Sequence, residues 1–319
     1  MGKSYFTPII KSILNNEKNN IFYKREDLLP FSFGGNKVRI ALKFFEDMEE
    51  KGKDCIVAYG NSRSNLSRVI ANMALAKGIP CCVISPNDED NSRIETNNSK
   101  MVTLFGAQVV TCSKKNVLET VKAVLNQYTQ NGFKPYYIYG DETGKGNEVT
   151  PVKAYVEVYD EILKQEKSLG VQFDYIFHAS GTGMTQAGLV CGNIINNKNK
   201  KIIGCSIARR SEVEIPVLKQ YILAYLEKFG RNVSCNTLEN NLYFWDKYLG
   251  EGYGKYDDLV LDTITQTLCK EGIFLDSTYT GKALYAMKKY IEEENILGKN
   301  ILFIHTGSAP LFFEKIDEL

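Results

Sequence analysis

The stretch Tyr175-Ile-Phe-His-Ala-Ser-Gly-Thr-Gly-Met-Thr-Gln-Ala-Gly-Leu189 decides the fold class. A short apolar run opens it, glycines and hydroxyl residues interrupt it, and a helix-compatible stretch closes it. It therefore reads as a strand passing through a Gly-rich turn into a helix. Such a turn suits an anion: Gly181 and Gly183 let backbone N–H groups approach closely, the helix N-terminus adds its dipole, and the Thr182 and Thr185 hydroxyls supply further donors. The segment also reads as a plain tight connection, because it lacks the Gly-Lys-Ser/Thr ending of a P-loop and its G-x-G is not completed to the dinucleotide spacing.

The same alternation recurs outward along the chain. Cys55–Tyr59, Cys81–Ile84, Gln108–Cys112, Lys201–Ile207 and Ile301–His305 are expected strands like Tyr175–Ala179, each closely followed by Gly, Ser, Asn or Pro. Lys37–Lys51, Leu66–Lys77, Val117–Tyr128, Pro151–Lys167 and Lys282–Glu294 carry helical periodicity, with Lys and Glu on the solvent-facing positions. Asn87–Lys100 reads as a polar surface loop with a short helix, and Asn193–Lys201 as an Asn/Lys-rich turn. The fold class is α/β with mainly parallel sheets, and 319 residues favour two lobes or one large unit. Loops Gly60–Asn65, Ser180–Thr185 and Thr306–Pro310 fall beyond the carboxyl ends of strands, where open parallel sheets bind ligands.

Composition removes several function classes. The 39 basic and 38 acidic side chains nearly cancel, which argues against a nucleic-acid or acidic-membrane partner. No apolar run approaches the roughly 18 residues that span a bilayer. Met1–Phe6 has no signal-peptide core, and Phe6 stands where a myristoylation motif wants Ser or Thr. The eight cysteines show no CxxC spacing and sit mostly in apolar runs, so they read as buried hydrophobes in a cytoplasmic protein. With His178 and His305 far apart and unclustered, no metal site is expected.

Other segments carry chemistry only in company. Phe33-Gly-Gly-Asn-Lys-Val-Arg39 places Lys37 at a helix start, where the dipole and burial lower an amine's pKa and favour a nucleophile and base. Taken singly, such a lysine is a surface residue. Gly60-Asn-Ser-Arg-Ser-Asn-Leu-Ser-Arg68 offers backbone donors and the Ser64 hydroxyl to a carboxylate, or is simply an N-cap. Leu275–Ala283 and Phe303–Pro310 form hydroxyl-rich turns.

In this order the segments resemble the D-cysteine desulfhydrase and 1-aminocyclopropane-1-carboxylate deaminase family. That family lies within the tryptophan-synthase-β-like, fold type II, pyridoxal 5'-phosphate (PLP) enzymes. The resemblance runs from Lys24-Arg-Glu-Asp27 through Gly34–Lys37, Ser64-Asn65, Gly181–Leu189, Gly252-Tyr-Gly254 and Tyr279-Thr-Gly-Lys282 to His305-Thr-Gly307. It implies PLP as cofactor, Lys37 as the Schiff-base lysine, Asn65 at the cofactor's 3′-oxygen and Gly181, Thr182, Gly183, Met184 and Thr185 as the phosphate cup. It also implies Ser64 at the substrate carboxylate and Tyr253 and Tyr279 as catalytic tyrosines. Residues 40–148 would form a small lobe, 1–39 and 149–319 a large one, and the enzyme would be a homodimer.

Deaminases of the family carry Glu and Leu where this chain has Thr280 and Thr306. Hydroxyls there support a neutral cofactor ring and favour the desulfhydrase-like branch. The implied activity is a lyase reaction, α,β-elimination from D-cysteine or a similar small β-substituted amino acid to pyruvate, ammonia and the leaving group. Cysteine-synthase-like β-replacement, ring-opening deamination and a non-catalytic PLP or amino-acid binding protein are the alternatives; retention of Lys37, Ser64 and Tyr279 argues against the last. Relatives usually read Gly-Gly-Ile-Gln-Ser-Asn-His/Gln at Gly60–Leu66, so Arg63 and Leu66 depart from the pattern. Leu66 removes a side-chain donor beside the substrate carboxylate, and Arg63 either replaces that donor, recognises a second anionic group on a different substrate, or points to solvent. Ile40 replaces a phosphate-facing lysine, and Gly140–Tyr155 lacks the Gly-Gly-Ser-Asn pattern.

Overall fold

The computed structural model describes residues 5–13, 18–87 and 94–319. The N-terminal reading at 1–4 and the part of the expected polar loop at 88–93 lie outside these residues. In chain order the first elements are β1 (Ile9–Lys11), β2 (Asn20–Arg25), α1 (Lys37–Glu50), β3 (Cys55–Tyr59), α2 (Asn65–Lys77), β4 (Cys81–Pro86), α3 (Asn97–Leu104), β5 (Gln108–Cys112), α4 (Val117–Gln130) and β6 (Pro135–Tyr137). There follow α5 (Val149–Leu169), β7 (Tyr175–Ser180), α6 (Met184–Ile195), β8 (Lys201–Ser206), α7 (Ser211–Lys228), α8 (Cys235–Glu239), β9 (Tyr243–Trp245), α9 (Asp258–Glu271), α10 (Thr280–Glu293), β10 (Asn300–His305) and α11 (Ala309–Phe313). This is an α/β fold. None of the described helices is long and apolar enough to cross a membrane.

The chain divides into two compact units. Met1–Leu29, Phe33–Asn36 and Val152–Leu319 form the first; Pro30–Ser32 and Lys37–Pro151 form the second.

The first unit holds a six-stranded sheet in the order β1-β2-β10-β7-β8-β9. All its neighbours run parallel except β1, an antiparallel edge strand on β2. Strands buried on both faces read as apolar runs, and β7, β8 and β10 are buried along nearly their whole length. Phe177, Ala179, Ile203, Cys205, Ile301 and Phe303 alternate onto the face covered by Val260, Ile264, Leu284 and Met287 of α9 and α10. Helix α6 packs on α5 through two glycines: a Cβ at Gly188 would lie 2.4 Å from Tyr155 Cβ, and one at Gly192 would lie 2.5 Å from Tyr159 Cβ. The strand order reverses between β7 and β10, so Gly181–Thr185 and Thr306 leave the sheet at its switch point.

The second unit holds a fully parallel four-stranded sheet in the order β5-β4-β3-β6. Val57, Cys82 and Ile84 pack with Val121 and Val124 of α4. Its switch point falls between β3 and β6, and the Gly60–Asn65 loop leaves the end of β3. Ile40 of α1 is fully buried.

The periodicity reading misses β1, β2, β6 and β9, and helices α7, α8, α9 and α11. Strands of three residues, such as β1, β6 and β9, carry too little pattern. β2 carries Lys24, a fully buried lysine hydrogen-bonded to Thr7, Glu161 and Gln165, where an apolar residue is expected. Pro216 interrupts the helical signal of α7.

Candidate active site

In the first unit three turns converge, at Gly34–Asn36, Thr306–Gly307 and Gly183–Thr185. After β2 the backbone takes positive φ at five successive residues, Phe31, Ser32, Phe33, Gly34 and Gly35, a conformation that costs bulky residues energy and marks an over-determined segment. Gly34 and Gly35 are obligatory: a Cβ would lie 2.4 Å from the Asp27 carbonyl oxygen at the first and 2.8 Å from the Thr306 carbonyl oxygen at the second. The next residue, Asn36, donates its backbone N–H to the Thr306 carbonyl at 3.1 Å and its Nδ2 to Thr185 Oγ1 at 2.9 Å. Asn36 thus fastens the Gly-Gly turn to the turn after β10 and to the first turn of α6.

The Gly181–Thr185 turn is open to an anion. Gly183 is the N-cap of α6 with φ +78°, and no side chain caps the helix there. Backbone donors of the first turn are therefore left to a ligand. Space at Gly183 is closed from behind: a Cβ would lie 2.8 Å from Glu214 Oε1 and 2.9 Å from Leu218 Cδ2. The Glu214 carboxylate is ion-paired to Arg209 at 2.7 Å, and burial raises its pKa. Gly181 has only ordinary contacts, to Ile207, so the tight position is Gly183. Thr185 Oγ1 accepts from Asn36 and keeps its own proton to donate. Thr182 is exposed, whereas Met184 and Thr185 are buried.

Tyr253 and Tyr279 meet in the same unit, their hydroxyls 2.5 Å apart and their rings edge to face. Buried Asp276 accepts from the backbone N–H groups of Thr278, Tyr279 and Thr280, each at 2.9 Å, and so fixes Tyr279 at the start of α10. Burial raises the Asp276 pKa against the lowering effect of these donors. The Thr280 hydroxyl donates to Asp276 Oδ1 and accepts from the Asp276 N–H, both at 2.9 Å, so its proton is committed to the turn. Buried His305 is held between the Phe274 carbonyl at Nε2 and the Gly307 N–H at Nδ1. The Nε2–H tautomer satisfies both contacts, and Gly307 is pressed on Gly35, where its Cβ would lie 2.5 Å from Gly35 Cα.

In the second unit, Ser64 is the N-cap of α2; its Oγ accepts from the Ser67 N–H and the Ser67 hydroxyl, each at 3.1 Å. With two bonds accepted, the hydroxyl's own proton is left to be donated. Asn65 Oδ1 accepts from Asn98 Nδ2 at 3.0 Å and from Arg68 Nη2 at 3.2 Å, which fixes the orientation of its amide. The start of α3 also braces the loop, with Thr96 Oγ1 donating to the Ser62 carbonyl at 2.5 Å and Asn98 Nδ2 to the Arg63 carbonyl at 3.0 Å. Leu66 is buried, and Arg63 is half-buried. Lys37 is the first residue of α1, half-buried by surface area, and desolvation lowers its amine to about 8.

Sequence reasoning left Asn36, Asn98, Asp276 and Lys282 without roles. Asn36 stood inside the Gly-Gly-Asn-Lys segment, and Lys282 inside the Tyr-Thr-Gly-Lys segment. Asn98 lies in a stretch read as a surface loop but is fully buried.

Each unit carries donors suited to part of a phosphorylated pyridine aldehyde: in the first, an uncapped helix start with a hydroxyl suits a phosphate, and in the second, an oriented amide suits a phenolic oxygen and Lys37 is an amine whose pKa burial lowers. The comparisons agree. The family described as "Pyridoxal-phosphate dependent enzyme" matches residues 4–307. D-cysteine desulfhydrase of Yersinia pestis (strain Pestoides F) is 30% identical over 298 residues, covering 92% of this chain and 88% of the relative. The Serratia proteamaculans (strain 568) D-cysteine desulfhydrase is 29% identical over the same coverage. Among solved structures, a 1-aminocyclopropane-1-carboxylate (ACC) deaminase homologue superposes with a TM-score of 0.83 at 27% identity, covering 98% of this chain and 93% of that one. A hydrogen sulfide-producing enzyme from Fusobacterium nucleatum shares the fold at TM-score 0.62 and 20% identity, covering 94% of each chain.

Proposed function

We propose that this chain, which belongs to the D-cysteine desulfhydrase and ACC deaminase family of PLP-dependent enzymes, is a lyase that eliminates the β-substituent of D-cysteine or a similar small amino acid. The carrying observation is the Asn36–Thr185 bond, which ties the uncapped start of α6 to the segment whose next residue is Lys37. When bound, PLP supplies an electron sink for negative charge developing at the substrate's α-carbon. The protein's part is to bind, orient and move protons.

The first-turn N–H groups of α6 and the Thr185 hydroxyl would hold the phosphate, and the Asn65 amide would serve the ring oxygen. Ser64 donates to the substrate carboxylate. Lys37, an amine whose pKa burial lowers, would accept the α-proton. Tyr279, backed by Tyr253, offers a hydroxyl for proton transfer to the departing group. Because the Thr280 proton goes to Asp276, Thr306 is the hydroxyl assigned to the ring nitrogen. A hydroxyl does not protonate that nitrogen as a carboxylic acid does, which is sufficient for elimination.

The test is a panel of D- and L-amino acids with and without added thiol, on protein loaded with PLP. Pyruvate released from D-cysteine, independent of thiol, is the expected result. A new amino acid formed with thiol shows replacement instead. Failure of every β-substituted substrate despite stoichiometric PLP shows a binding protein. We infer a homodimer from the resemblance, and light scattering that finds only monomer at micromolar concentration refutes it.

A further inference from the structure

We propose that Lys282 is the positioning residue of the tyrosine pair: its ammonium, held by three backbone carbonyls, keeps the loop that carries Tyr253 in register with Tyr279. The inference rests on the role just given to the two tyrosines. Lys282 is only 2% exposed, yet it lies in the first turn of α10, where the helix dipole disfavours a cation. A buried ammonium in such a place persists only when its protons are all engaged.

They are engaged by carbonyls from outside its own helix. Nζ donates to Gly252 O at 2.5 Å, Leu249 O at 3.1 Å and Ile207 O at 3.5 Å, the last on the chain just after β8. Asp276 and Asp257 are the carboxylates whose charges favour the ammonium, against the desolvation that lowers it to about 8.

The chain connectivity gives these contacts their meaning. Gly252 immediately precedes Tyr253, and Lys282 stands three residues after Tyr279, on the same turn of helix. The segment between β9 and α9 contains neither strand nor helix, and Gly252 has φ +113°, open to few residues but glycine. Lys282 therefore ties the irregular loop under one tyrosine to the helix that starts at the other. The hydrogen bond between the two hydroxyls is kept only while the loop and the helix start hold their register.

The experiment uses PLP-loaded wild type, Lys282→Met, Tyr253→Phe and the double variant. Hydrogen exchange decides the positioning claim whatever the substrate is. Amides of residues 249–256 are expected to exchange at least about tenfold faster in Lys282→Met while those of α10 keep their protection. Unchanged exchange in the loop overturns the proposal, as does equal loosening of α10, which marks a purely structural lysine.

Pyruvate release from D-cysteine adds a second reading. Lys282→Met is expected to lower kcat about tenfold or more with the cofactor's visible absorbance retained. In the Tyr253→Phe background the same change is expected to cost less than about threefold, because the group it positions is already gone. An equal loss in both backgrounds overturns the proposal. Full turnover in Tyr253→Phe instead defeats the tyrosine assignment, and absence of pyruvate from wild type defeats the substrate assignment; the exchange result then still judges Lys282. If Lys282→Met fails to fold, Lys282→Gln, which keeps a donor without the charge, is put through the same measurements.

Discussion

If Lys37 is the Schiff-base lysine proposed above, its lowered pKa sets the pH at which the apoenzyme captures PLP. Only a neutral amine attacks the PLP aldehyde. At pH 7 a lysine at its ordinary 10.5 is neutral in about 0.03% of molecules, whereas at about 8 the fraction is about 9%, a gain of about 300-fold. Stopped-flow mixing of apoenzyme with PLP, followed by the cofactor's visible band, is expected to show a second-order rate that rises with pH and levels off above about 8. Lys282 is also held to about 8, so the profile is repeated in Lys282→Met, where the break is expected to persist. The same shift has a signature in stability. The folded-state pKa of Lys37 lies below the unfolded value, so between about 8 and 10.5 the unfolded chain binds the extra proton and stability gains as pH rises. Below that window folding carries the cost of a desolvated ammonium, and apo Lys37→Met is expected to be more stable than wild type at pH 7 by a margin that shrinks towards pH 10. A capture rate that climbs without a break to pH 10, as for a free lysine, refutes the desolvation argument.

Three further outcomes follow from the geometry. Tyr279→Phe keeps the ring packing and the cofactor anchors, so PLP binding is expected unchanged while turnover falls about one hundred to ten thousand-fold; nearly full activity makes Tyr279 a packing residue. Gly183→Ala forces a side chain at φ +78°, 2.8 Å from Glu214 Oε1, and is expected to weaken PLP binding at least about tenfold in a spectroscopic titration, with unchanged affinity counting against the phosphate assignment. Gly188→Ala sets a methyl 2.4 Å from Tyr155 Cβ and 2.6 Å from the Val152 carbonyl oxygen, both on the facing helix, and is expected to cost about 1–3 kcal/mol in denaturant unfolding. A stability equal to wild type means that α5 and α6 yield more easily than their packing implies.

Much of the α/β organisation was legible because parallel strands are buried on both faces and appear as uninterrupted apolar runs. β7 at Tyr175–Ser180 and β3 at Cys55–Tyr59 show this directly. Legibility failed where burial and polarity part company. Lys24 in β2 is a buried charge satisfied by partners more than a hundred residues away in Glu161 and Gln165, and no window of sequence contains that information. Asn98 failed in the same way, since a polar stretch predicts solvent while the folded chain uses this residue to aim Asn65.

The candidate site divides along the same line. Residues proposed to touch the cofactor or substrate announce themselves locally, because a helix start needs glycine nearby to admit an anion and a reactive lysine needs a helix start or burial. Gly183, Ser64 and Lys37 are of this kind. Residues that act by fixing a neighbour's lone pairs carry no local mark. Asn36 occupies a lone pair of Thr185, Ser67 those of Ser64, and Asn98 with Arg68 those of the Asn65 carbonyl oxygen. In each case two acceptors or donors compete for one orientation, and the partner decides whether the visible residue faces a ligand as donor or acceptor. A change at Asn98 can therefore reverse the chemistry offered by Asn65 without altering any residue that a motif would contain.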